Sequence, residues 1–153
     1  MKRKIAFFTG SRADYGLMKP LMERVVGDKN IIFSLVVTGS HLEKRFGNTW
    51  KQIQKDGFKI SSKFKILSED DSPTGISQSL STAVRKTSAV LHSLNPDLLV
   101  ILGDRYEALA AAQAAMIHKI PIAHIHGGES TFGLIDEAIR HSISKMSHLH
   151  FVS

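Results

Sequence analysis

Strand-like and helix-like segments alternate along this whole chain, and that alternation leaves little freedom in the fold. KIAFFTG (Lys4–Gly10) is a short apolar run closed by glycine. ADYGLMKPLMERVV follows, with Leu17, Leu21, Met22 and Val25 at helical spacing. IIFSLVVTG (Ile31–Gly39) is β-branched and apolar, as a buried strand is. NTWKQIQKDG reads as a short helix stopped by Gly57, and FKISSKFKIL as a strand nearer an edge. A long amphipathic helix then rests on Ile76, Leu80, Ala83, Val84, Thr87, Leu91 and Leu94, and Pro96 ends it. DLLVILGD (Asp97–Asp104) is the most apolar strand, and the Ala-rich RYEALAAAQAAMIHK is strongly helical. IPIAHIHGG, LIDEAIRHSISKM and SHLHFVS complete the series as strand, helix and strand. Such alternation implies a parallel sheet covered on both faces through right-handed crossovers. The expected class is α/β, a doubly wound Rossmann-like sheet.

A length of 153 residues fits a single domain, 1–153, large enough to bury a core without staples. There is no cysteine, which suits a reducing cytoplasm, the expected location. No apolar run approaches the roughly 20 residues that cross a bilayer, and no membrane partner is expected. MKRKIAFFTG is basic then apolar, but its apolar run is too short for a signal peptide and reads as the first strand. The net charge of +6 comes from scattered Lys and Arg, and aromatics are few. That argues against a nucleic-acid platform and for a general attraction to anions such as phosphorylated metabolites.

Polar residues gather after the strands. TGSRADYG, TGSHLEKRFG, GDRYE and GGESTFG follow strand ends, whereas the opposite connectors are the plain GDKN, SLNPD and IHKIP. In a parallel sheet the four rich loops share one edge, where ligands of such folds bind. Gly10 permits close backbone approach, and Arg12 offers a forked donor to phosphate. The competing reading is a tight turn, with Arg12 paired locally to Asp14. Asp104 closes an apolar strand, where partial desolvation tunes a carboxylate toward base chemistry. It is equally placed to cap the helix beginning at Arg105. His41 faces the same edge. His124 and His126 alternate on one strand face, and with Glu129 and His141 they offer zinc-ligand chemistry. Without cysteine or an H-E-x-x-H motif, no metal and no cofactor are expected. Gly127 and Gly128 let the chain turn against a substrate, and Glu129 enters the cleft. Asp136 and Glu137 start a helix, where acids favour the dipole; Arg140 and His141, one turn on, read as solvated.

TGSRADYG, VTGSHL, GDRYEALAAA, HIHGGE and IDEAIRHSISKMSHLHF together resemble the hydrolysing UDP-N-acetylglucosamine 2-epimerases of sialic-acid biosynthesis, in order along nearly the whole chain. The resemblance implies one half of a GT-B-like two-domain fold, with the C-terminal nucleotide-binding domain absent from this chain and the site between the domains. It implies that UDP leaves C1 as a base takes the C2 proton, that a 2-acetamidoglucal forms, and that water adds to release N-acetylmannosamine. Carried over by position, Asp104, Asp136 and Glu137 are the catalytic acids, and Arg12 and Asp14 lie near the nucleotide. Gly10, His41, Arg105, Gly127 and Gly128 complete the substrate-binding set. Many relatives carry Glu at the position of His126, so either His126 or Glu129 takes over the acid–base task. The resemblance extends to enzymes of UDP-diacetylbacillosamine and related sugars. A non-catalytic nucleotide-sugar-binding module is the alternative from another class. The isolated chain is expected to fold, to lack turnover, and to self-associate through its exposed cleft face as a homo-oligomer.

Overall fold

The computed structural model describes residues 2–130 and 135–152. In chain order its elements are β1 (Arg3–Thr9), α1 (Arg12–Val26), β2 (Ile31–Val37), α2 (Trp50–Lys55), β3 (Ser62–Lys63) and α3 (Pro73–Leu94). They continue with β4 (Leu98–Leu102), α4 (Tyr106–Ile117), β5 (Ile122–Ile125), α5 (Ile135–Met146) and β6 (Leu149–Phe151). The strands form one sheet of order β3-β2-β1-β4-β5-β6, and each adjacent pair is parallel. This is the doubly wound α/β architecture expected from the alternation. Because every strand points the same way, all the loops that leave strand carboxyl ends lie on one edge. The strand order reverses between β1 and β4, which makes that junction the switch point.

Alternate residues of each strand enter different cores. Ala6, Phe8, Leu99 and Ile101 pack with Leu91 of α3, the alanines of α4, and Ile139 and Ile143 of α5. Phe7, Leu35, Val37 and Val100 pack with Tyr15, Met18 and Met22 of α1 and Ile53 of α2. The period of two is what divides one hydrophobic strand between two layers.

Three expectations change. In α1 the buried residues are Tyr15, Met18 and Met22, while Leu17 and Leu21 are 60% and 43% exposed. Leu17, Leu21 and Val25 instead flank an open apolar trough of about 400 Å³ over Val100, Ile125 and Phe151. In α3 the inward stripe is Gly75, Ser79, Ala83, Thr87 and Leu91, with Ile76 exposed. Small residues at every fourth position let Ala83 reach Ala110 of α4, so the larger apolar residues lie beside the stripe. The helix stops at Asn95, whose left-handed backbone (φ 44°) precedes Pro96. β3 keeps only two residues of the expected edge strand, since Phe58 and Ile60 pack into the core as irregular chain. Among the described residues, no helix is long and apolar enough to cross a membrane.

Candidate functional site

The β1 and β2 loops are tied down by their own polar groups. Ser11 caps α1, its hydroxyl accepting from the Asp14 amide at 3.3 Å. Asp14 returns the bond: its carboxylate accepts from the amides of Ser11 at 3.0 Å and Gly10 at 3.2 Å. This is a reciprocal capping box. Burial pushes the Asp14 carboxyl up, and these bonds oppose the shift. Asp14 is therefore committed to the backbone of the first loop. Arg12 is exposed at the rim of a cavity of about 550 Å³ that it shares with Tyr15, Gly16, His41, Thr49 and Lys55.

His41 lies at the expected edge, after β2 and among the residues around that cavity, and its ring is fully buried. Its Nε2 lies 2.9 Å from Thr9 Oγ1 and its Nδ1 lies 2.7 Å from Thr49 Oγ1. The Thr9 hydroxyl donates to the Ser11 carbonyl at 3.2 Å, so Nε2–H donates to Thr9 and Nδ1 accepts from Thr49. Burial pulls the imidazole down from 6.5 to about 4, and the ring is neutral at pH 7. His41 thus clamps the end of β1 to the entrance of α2.

The β4 and β5 loops carry the ionised groups. Asp104 does not cap α4: the cap position is Arg105, whose side chain makes no cap hydrogen bond. Its carboxylate instead accepts from Nη2 of Arg140. Arg140, expected in solvent, is buried, and its Nη1 donates to the Glu129 carbonyl at 2.8 Å. One guanidinium from α5 thereby joins the loops after β4 and β5. The sequence did contain a signal, since position 140 lies between Ile139 and Ile143 on the face that α5 buries.

His124 and His126 do not share a face. β5 ends at Ile125, and His126 adopts a left-handed backbone (φ 58°), which redirects its side chain. His124 is fully buried: its Nε2–H donates to the Gly103 carbonyl at 2.7 Å, and its Nδ1 accepts from Ser144 Oγ at 3.2 Å. Burial lowers its pKa. Gly127 is required by this packing, because a Cβ there would come within 2.7 Å of His124 Nδ1 and 2.9 Å of Ser144 Oγ. Gly128 follows with φ 80°. His126 remains partly exposed, with Nδ1 3.1 Å from Glu129 Oε1. Against an ionised carboxylate Nδ1 is the donor, so Nε2 is the ring nitrogen left to exchange a proton. The two candidates for one acid–base task are thus partners in one hydrogen bond. Asp136 and Glu137 lie in the first turn of α5, and Glu137 Oε1 is 3.5 Å from His141 Nε2. Leu134, read as the first residue of that helix, lies outside the described residues, as do 131–133.

Between the two groups of loops, Arg105 is about half exposed and its Nη2 donates to Glu107 Oε1 at 3.3 Å. Glu107 is almost fully buried in the first turn of α4, among alanines. Every other buried residue of α4 is an alanine, so the carboxylate at position 107 is an irregularity.

The sequence pattern of the UDP-N-acetylglucosamine 2-epimerase family matches residues 23–153. The chain is 45% identical over 152 residues to a GDP/UDP-N,N'-diacetylbacillosamine 2-epimerase (hydrolyzing) of Campylobacter jejuni, covering 99% of this chain and 39% of the relative. It is 41% identical to the polysialic acid biosynthesis protein P7 of Escherichia coli, again over 99% of this chain and 39% of the relative. A UDP-GlcNAc 2-epimerase from Neisseria meningitidis bound to UDP-GlcNAc superposes with a TM-score of 0.85 at 24% identity, over 97% of this chain and 39% of that one. At that identity the likeness establishes the fold. The chain spans about 39% of the length of the curated relatives it matches.

Proposed function

We propose that this chain, which belongs to the UDP-N-acetylglucosamine 2-epimerase family, is the N-terminal, acid–base half of a hydrolysing 2-epimerase acting on a UDP-linked 2-acetamido sugar. The observation that carries the reading is the Asp104–Arg140–Glu129 connection, which brings the loops after β4 and β5 and the start of α5 to one edge. Arg12 and Arg105 lie on the same edge beside the switch point, where cations suit a departing diphosphate.

In this reading a carboxylate or imidazole of the cluster removes the C2 proton. The electrons of that bond form the C1–C2 double bond, and the C1–oxygen bond breaks to release UDP. Water then adds hydroxyl to C1, and C2 regains a proton on its other face. Asp104 is oriented by Arg140, and Glu129 orients His126 so that Nε2 exchanges the proton. Asp136 and Glu137 supply further carboxylates at the start of α5. The second domain, which the relatives' greater length would accommodate, closes the cleft and excludes water. No metal or cofactor takes part, and the reaction suits a cytoplasmic setting.

UDP-N-acetylglucosamine, giving N-acetylmannosamine, is the first substrate reading. UDP-N,N'-diacetylbacillosamine is the second, favoured by relatives from Campylobacter jejuni and Legionella pneumophila at 45% and 41% identity. Incubating the two-domain protein with each sugar, and measuring free UDP together with the 2-epimer, tests both. Binding of UDP without turnover of either sugar would support a binding module in place of an enzyme.

A further inference from the structure

We propose that Glu107 is a positioning residue, which sets the Arg105 guanidinium at the switch point to meet the diphosphate of the nucleotide sugar. The inference rests on the reading above, in which Arg105 faces that substrate.

Glu107 sits in a costly place for a carboxyl group. It is 1% exposed in the first turn of α4, a helix whose other inward residues are alanines. Stability alone would be served by an apolar side chain, because a buried ion pair seldom outperforms one. Oε1 accepts from Arg105 Nη2 at 3.3 Å. Oε2 is buried and has no hydrogen-bond partner among the described residues. Burial raises the carboxyl's pKa, and the charge on Arg105 opposes that shift.

The backbone around Glu107 is shaped to it. A Cβ on Gly10 would stand 3.2 Å from Glu107 Cβ, and one on Gly39 would stand 3.0 Å from Oε1. Gly39 also has φ 60°, and a Cβ there would come within 2.5 Å of the Gly10 carbonyl oxygen. That carbonyl in turn accepts from the Ser40 amide at 2.9 Å and the Ser40 hydroxyl at 3.1 Å. The loops leaving β1 and β2 therefore close over the carboxyl group, and beyond the backbone at Glu107 itself, Arg105 is the one side chain that bonds it among the described residues. Arg105 is a long side chain, about half exposed, on the loop that also carries Asp104. Fixing such a side chain before the ligand arrives removes an ordering cost from binding.

The test uses the protein carrying both domains and UDP as the calorimetric probe. Glu107→Leu fits the apolar helix and is expected to fold with a melting temperature near that of the unmodified protein. It should weaken UDP binding about fivefold to tenfold, the scale of one unordered long side chain. Glu107→Gln, whose amide oxygen still accepts from Arg105, should recover part of the loss, and it carries the test if the leucine variant does not fold. Arg105→Ala should weaken UDP at least as much. Adding Glu107→Leu to Arg105→Ala should cost less than about a twofold further loss, which is the scatter of independent sites. Multiplying losses in the double variant, normal UDP binding by Glu107→Leu, or normal binding by Arg105→Ala would each overturn the inference and leave the epimerase reading standing. Failure of the unmodified protein to bind UDP would overturn both.

Discussion

After β1, the polar atoms of Ser11 and Asp14 close the first turn of α1, and the neutral ring of His41 joins Thr9 to Thr49. After β4 and β5, Arg140 binds the Asp104 carboxylate and the Glu129 main-chain carbonyl, the Glu129 carboxylate lies against His126, and Asp104, Glu129 and His126 remain partly exposed. Both regions lie on one edge of one sheet, and both are rich in residues that do chemistry elsewhere. Their difference lies in what satisfies each polar atom. Where a backbone amide or a threonine hydroxyl is the partner, the group maintains shape. Where one charged side chain serves two loops, it holds the segments that carry the partly exposed Asp104 and Glu129, the groups to which the proposed reaction gives proton exchange. Substitutions should therefore divide: stability and little else at Ser11, Asp14 and His41 on the β1–β2 side, turnover on the β4–β5 side.

The largest effect should come from Asp104→Asn in the two-domain enzyme proposed above. The amide keeps the size of the carboxylate but cannot take a proton, so turnover should fall by about a thousandfold or more while UDP binding is retained. Steady-state kinetics with the UDP sugar that turns over, together with calorimetry, checks this. Near-normal turnover would return Asp104 to the shape-keeping class and erase the contrast between the regions.

Next in size is Arg140→Met. It removes the partner of Asp104 and the donor to the Glu129 carbonyl in one step. Breaking a buried pair by deleting one member costs roughly 3–5 kcal/mol, and the partial exposure of Asp104 places this case near the lower end. Urea denaturation should show that loss, and the accompanying turnover should fall as far as in Asp104→Asn. Loss of stability with turnover intact would mean that Arg140 only cements the loops.

His41 sharpens the other side through pH. Its folded pKa lies at about 4, below the ordinary 6.5. On acidification the unfolded chain takes up this proton near 6.5 and the folded chain only near 4. The stabilisation is therefore complete above about 6.5 and drains away across that window, by about 2 kcal/mol at pH 5. The raised carboxyl of Glu107 contributes with the opposite sign, its stabilisation fading as pH rises through its folded value. The useful measurement is thus the difference in acid sensitivity between the natural chain and His41→Gln, which should lose the share that His41 supplies and keep that of His124, whose pKa burial also lowers.

The alternation of segments made the sheet legible, because a period of two and a period of 3.6 are imposed on each residue locally. The shared edge was legible for the same reason, since it follows from parallel strands alone. What stayed hidden depends on contacts between distant segments. His41 and His126 both follow strands in polar loops, yet one is sealed beneath Thr9 and Thr49 and the other stands beside Glu129. Glu129 is three residues from His126 and was in view, whereas the burial of His41 depends on Thr9 in another strand and was not. Arg140 was misplaced because its helix was read by charge, although Ile139 and Ile143 beside it already marked the buried face. Leu17 and Leu21 were misplaced because helical spacing selects an apolar stripe without saying how far the sheet extends beneath it.

The smallest expected effect sets the floor of the comparison. Ser11→Ala removes the hydroxyl that accepts from the Asp14 amide, and leaves Asp14 to hold Ser11 and Gly10 alone. N-cap serine to alanine typically costs about 1 kcal/mol. Here the Asp14 half of the box persists, and Ser11 is buried enough that no water replaces its oxygen freely. Those two conditions act in opposite directions, so the typical value should stand. The melting temperature should drop by a few degrees for a domain of this size. Turnover in the two-domain protein should stay within about twofold, because two amide bonds to Asp14 still fix Gly10 and the approach to Arg12. A tenfold loss of turnover at so slight a loss of stability would show that the exact placing of the first loop governs the chemistry. The β1–β2 side would then belong with the β4–β5 side, and the division between shape and proton exchange would have to be drawn within each loop.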